Sequence, residues 1–122
     1  MARVLIVDDD FQMREMLGVI LEHKGYEVTK ASNGNKAITL QGEKPFDIII
    51  TDIIMPGKEG LETISELRHS YPGLKIIAMS GGGRHRPEGY LELASQYGAD
   101  RVLAKPFGSW EILGLVRELT SG

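Results

Sequence analysis

Four consecutive β-branched residues, Ile48-Ile49-Ile50-Thr51, lead straight into Asp52, and this stretch limits the available folds more than any other. A strand with one wet face alternates apolar and polar residues. An unbroken run fits a strand covered on both faces, as in the parallel sheets of α/β proteins. The run ends on an acid, and Met55-Pro56-Gly57 then turns the chain. Open α/β sheets bind ligands beyond the carboxyl ends of their strands, so Asp52 is a candidate nucleophile or ligand.

The other segments agree with such a sheet. Val4–Val7 is a second buried run, ending in Asp8-Asp9-Asp10. Helical spacing of Met13, Leu17, Ile20 and Leu21 predicts a helix over Phe11–Lys24, stopped by Gly25. Tyr26–Lys30 alternates like an edge strand, Ser32-Asn33-Gly34 is a turn, and Asn35–Glu43 is a short helix with Ala37, Ile38 and Leu40 inward. Glu59–Ser70 puts Leu61, Ile64 and Leu67 on one helical face. Leu74–Met79 is a fourth strand, ending on Ser80 before the Gly81–Gly83 loop. Pro87–Tyr97 is a helix with Leu91 and Ala94 inward and Tyr90 or Leu93 as further core candidates. Arg101–Ala104 is a short strand leading to Lys105-Pro106-Phe107. Trp110–Leu119 is a last helix carrying Ile112, Leu115, Val116 and Leu119 on its apolar face, with Trp110 expected to pack. Strand and helix alternate five times, which implies a five-stranded parallel sheet with helices on both faces, a three-layer α/β/α sandwich.

The 122 residues suit one domain over 1–122, and 42% apolar residues are enough for a core. A net charge of -3 with mixed signs argues against a nucleic-acid surface. The absence of cysteine excludes disulfides and thiol chemistry. No apolar run approaches the ~20 residues that span a bilayer, and the N-terminus does not read as a signal peptide. The expectation is a soluble cytoplasmic protein that binds neither nucleic acid nor membrane. His23, His69 and His85 are scattered and read as surface residues, and Arg84-His85-Arg86 as a solvated loop.

In a parallel sheet Asp8, Asp9, Asp10, Asp52, Ser80 and Lys105 all arrive at one edge. Clustered carboxylates raise one another's pKa unless a cation joins them. Oxygen ligands without His or Cys suit a hard ion such as Mg²⁺. A lysine and a hydroxyl beside that ion make a cradle for a phosphoryl group, which a carboxylate in line can accept as an aspartyl phosphate.

VLIVDDD, TDIIMPG, the strand-end Ser80 and LAKPF, in this order, resemble the receiver domain of two-component response regulators over essentially the whole chain. The resemblance implies a flavodoxin-like, doubly wound fold with strand order 2-1-3-4-5. It implies Asp52 as phosphoacceptor, Asp9 as the more direct Mg²⁺ ligand and Asp8 acting mainly through water. The backbone carbonyl of Ile54 would be a further ligand. Ser80 would hydrogen-bond a phosphoryl oxygen, Lys105 would pair with Asp52 or the phosphoryl group, and Pro106 would follow a cis peptide bond. Asp10 matches a variable third acid and reads as a helix-start residue. Val102 stands where the family often has an aromatic residue that swings inward, a movement valine cannot reproduce. The Gly81–Gly83 loop is the expected substitute.

The expected function is a phosphorelay receiver. It takes a phosphoryl group from a histidine kinase or histidine phosphotransfer protein and loses it by hydrolysis. It is a signalling domain rather than an enzyme with a separate substrate, and it acts through a downstream partner not named by the sequence. The donor is expected near the first helix and Lys105-Pro106-Phe107, with Gln12, Arg14 and Phe107 as contacts. The alternative within the family is a receiver cut from a longer regulator or hybrid sensor kinase. A small-molecule phosphatase would want a second acid where Ile54 stands. A nucleotide- or flavin-binding module would want glycines or hydroxyls where Asp8-Asp9-Asp10 stands.

Overall fold

A computed structural model describes residues 2–53, 60–80 and 87–121, the stretch 87–91 by backbone alone. The elements run β1 (Arg3–Val7), α1 (Phe11–His23), β2 (Glu27–Ala31), α2 (Gly34–Glu43), β3 (Ile48–Asp52), α3 (Gly60–Ser70), β4 (Lys75–Ser80), α4 (Pro87–Tyr97), β5 (Arg101–Ala104) and α5 (Ser109–Thr120). All neighbouring strands pair in parallel, in the order β2-β1-β3-β4-β5. This is the flavodoxin-like doubly wound sheet expected from the sequence.

Every residue of β3 is buried. Because successive side chains leave a strand on opposite faces, the apolar run divides between two cores. Leu5, Val7, Ile49, Ile76 and Ala78 meet Ala37 of α2, Ile64 and Leu67 of α3 and Ala94 of α4. Val4, Ile6, Ile48, Ile50, Ile77 and Met79 meet Leu17 and Leu21 of α1 and Ile112 and Val116 of α5. Among the described residues no helix is long and apolar enough to cross a membrane.

The helix ends follow local chemistry. Asp10 caps α1, its Oδ1 accepting the Gln12 and Met13 N–H groups at 2.9 and 3.5 Å. Asn33 caps α2 through the Lys36 N–H at 2.8 Å, so that helix begins one residue earlier than the spacing suggested. Gly25, at φ 93°, takes the left-handed conformation that follows the end of α1.

One core expectation fails and one of two alternatives is set aside, both for angular reasons. Trp110 is 76% exposed. It lies two residues before Ile112, about 200° around the helix from the buried line. Its indole rests over the Gly108 backbone instead. Leu93, one residue before buried Ala94, is about 100° off that line and is exposed. His23 and His69 are exposed, as expected. Leu91, Tyr90, His85 and the flanking arginines lie outside what is described.

One organising contact has no sequence pattern. Arg68, in the last turn of α3, donates from Nε to the Gly98 carbonyl at 3.0 Å. Its Nη1 donates to the Pro72 and Leu74 carbonyls, and its Nη2 to Asp100 Oδ2 at 2.6 Å. That oxygen also accepts the Ile76 N–H at 2.8 Å. One guanidinium thus ties α3, the start of β4 and the turn before β5. Arg68→Met should cost about 2–3 kcal/mol, because it strands a half-buried carboxylate and three carbonyls. A lower urea midpoint at unchanged m value is the expected reading.

Candidate functional site

Strands β1, β3, β4 and β5 bring their carboxyl ends to one edge, as parallel pairing requires. Asp8 follows β1, and its N–H continues the ladder to the Ala31 carbonyl at 3.2 Å. Its side chain is fully buried and both oxygens are engaged. Oδ1 accepts the Asp10 N–H at 2.9 Å, and Oδ2 accepts from Lys105 Nζ at 2.9 Å. Asp52 closes β3, is 6% exposed, and accepts from the same Nζ at 3.0 Å. Asp9 is exposed at the rim. Carboxylate oxygens of Asp8, Asp9 and Asp52 all lie within 4.8 Å of one another.

Lys105 reaches this position because its own N–H donates to the Ser80 carbonyl at 2.8 Å, extending the pairing of β4 with β5 by one residue. The following bond to Pro106 is cis, as the resemblance implied. Burial pulls the Lys105 ammonium down, but hydrogen bonds and charge from Asp8 and Asp52 outweigh it, and its pKa stands above the usual lysine value. Two of these three carboxylates therefore share one ammonium, and the acids outnumber it. An all-oxygen set with that excess suits a hard divalent cation.

A family model for the response regulator receiver domain matches residues 4–117. The chain belongs to that family. Receivers bind Mg²⁺ at an acidic pocket, and this one presents a cluster of three aspartates. The transcriptional regulatory protein ResD of Bacillus subtilis is 31% identical over 119 residues, 96% of this receiver but 47% of ResD. SrrA of Staphylococcus aureus is 32% identical over 95% of this receiver and 46% of its own length. The receiver thus spans about half the length of the curated relatives it matches. Among solved structures, the chemotaxis response regulator CheY4 of Vibrio cholerae superposes with a TM-score of 0.86 at 31% identity, covering 98% of each chain. TrrA of Thermotoga maritima, solved in complex with Mg²⁺-BeF, gives 0.86 at 34%, covering 98% of this receiver and 99% of TrrA.

Ser80 ends β4, fully buried, and its Oγ has no hydrogen-bond partner among the described residues. A buried hydroxyl without a partner costs about 1–3 kcal/mol, which an oxygen-rich ligand would recover. Ile54 and the Gly81–Gly83 loop lie outside the described residues. Val102, paired with Ala78 across the β4–β5 ladder, is partly buried against the core. Asp10 serves as the cap of α1. Two contacts of this receiver escaped the sequence reading. Lys105 bridges Asp8 as well as Asp52, and Arg14 donates from Nη1 to the Asp8 carbonyl at 2.7 Å. A helical side chain leans toward the helix N-terminus, so an arginine in the first turn of α1 could have been expected to reach back to β1.

Proposed function

We propose that this receiver accepts a phosphoryl group on Asp52 from a phosphohistidine of a histidine kinase or histidine phosphotransfer protein, and later loses it by hydrolysis. Asp8, Asp9 and Asp52, with the backbone carbonyl of Ile54, would hold Mg²⁺. The ion would supply charge neutralisation for the phosphoryl oxygens. Lys105 supplies a fixed ammonium, Ser80 a hydroxyl donor, and Asp52 the attacking oxygen. Positioning and charge are most of what phosphoryl transfer needs. The carrying observation is the single ammonium held between two buried carboxylates, with a third acid close by. The Mg²⁺-BeF complex of TrrA supports the same reading.

Donor docking is proposed around the first turns of α1 and α5, which both start at this edge. Phe107 is partly buried there, while Gln12, Phe11 and Trp110 are exposed. A kinase donor fits a cytoplasmic location. The curated relatives are transcriptional regulatory proteins about twice as long, which favours a second reading of the output: residues 1–122 are one domain and signal to a DNA-binding partner or segment.

Incubation with acetyl phosphate and Mg²⁺, followed by intact mass, tests the chemistry. The expected result is one added phosphoryl group, lost when a chelator replaces Mg²⁺. No addition, or addition indifferent to the chelator, rejects the proposal.

A further inference from the structure

The Asp8 side chain is held at both oxygens, by the Asp10 N–H and by Lys105. Asp9 differs. It is exposed, and its carboxylate makes no hydrogen bond among the described residues, so the backbone that carries it sets the region its rotamers can reach. The peptide between Asp8 and Asp9 is fixed at its carbonyl, where Arg14 Nη1 donates at 2.7 Å. Arg14 is itself steadied. Its backbone N–H bonds the Asp10 carbonyl at 3.1 Å, and its guanidinium lies over the Phe11 ring at 5.6 Å.

We infer that Arg14 is a positioning residue for the cation site, aiming the Asp9 carboxylate by gripping the Asp8 carbonyl. This rests on the proposed Mg²⁺ site and goes beyond it, since Arg14 ligates nothing and stands one step behind the acids. Partners that orient metal ligands are worth about 10–100-fold in metal affinity. The bare charge of Arg14 acts in the opposite sense. A guanidinium beside an acidic cluster repels a cation, so removing charge alone would tighten Mg²⁺ binding. The sign of the effect therefore separates positioning from charge.

The experiment is Mg²⁺ titration of the full chain by calorimetry, for the parent, Arg14→Met and Arg14→Lys, with melting curves in chelator alongside. Arg14→Met should bind Mg²⁺ about tenfold more weakly. Arg14→Lys, which keeps charge and a donor, should recover most of that loss. Chelator melting curves close to the parent's place the effect in the site rather than the fold. Should Arg14→Met fail to fold, Arg14→Gln carries the same sign test. Unchanged or tighter Mg²⁺ binding in the neutral variant overturns the inference while leaving the proposed function intact. A parent that binds no Mg²⁺ overturns both.

Discussion

Asp52→Asn should leave a folded protein that takes up no phosphoryl group from acetyl phosphate and Mg²⁺. The side chain is buried at the end of a fully buried strand, and asparagine has nearly the same shape, so packing is preserved. The amide lacks the anionic oxygen proposed to attack phosphorus. Uptake should fall at least a hundredfold, the scale seen when a covalent nucleophile is deleted. Stability should change little. Lys105 loses one partner but keeps Asp8 at 2.9 Å, and the acidic cluster sheds one mutually repelling charge. Asp10→Asn is the matched control. Asp10 caps α1 and takes no part in the cluster, and asparagine caps as well as aspartate, so uptake should persist. Intact mass and circular dichroism report both outcomes. A phosphorylated Asp52→Asn protein would move the acceptor elsewhere and end the present assignment.

What the sequence revealed, and what it hid, divides along a physical line. The run Ile48–Thr51 is legible because burial on both faces is written into consecutive residues. Asp8, Asp52, Ser80 and Lys105 are legible together because parallel topology sends every strand end to one edge. Contacts set by side-chain reach were not. Arg68 meets Asp100 across 32 residues, with no local pattern to announce it. Trp110 is apolar and precedes the apolar stripe of α5 by only two residues in sequence, so hydrophobicity alone misplaced it. Its true position follows from the helical angle, which leaves it 76% exposed. The Lys105 bridge to Asp8 needed coordinates, since sequence could say that three acids and a lysine converge but not which oxygens the ammonium selects.

Gly60→Ala should be the most damaging small substitution among the described residues, and it links fold to site. In an ordinary helix this change stabilises by about 0.5–1 kcal/mol, by reducing backbone freedom in the unfolded chain. Gly114, with nothing within 4 Å of an added methyl, should show that gain. Gly60 opens α3 directly under the end of β3. Its N–H donates to the Ile53 carbonyl at 3.2 Å. A Cβ there would stand 2.2 Å from the Asp52 carbonyl oxygen and 2.3 Å from Ile53 Cα. Both are backbone atoms, so no side chain can turn aside to relieve the clash. Either α3 withdraws from the core, uncovering Ile64 and Leu67, or the end of β3 shifts and carries Asp52 away from Lys105. Overpacking against a fixed neighbour costs about 1–3 kcal/mol, and a backbone neighbour puts this case at or above the top of that range. Urea midpoints should thus move in opposite directions for the same chemical change at Gly60 and at Gly114. Phosphoryl uptake by the folded fraction separates the two routes: withdrawal of α3 alone spares it, and displacement of Asp52 slows it. A Gly60→Ala protein as stable as its parent would mean that α3 does not seat against β3 at this distance.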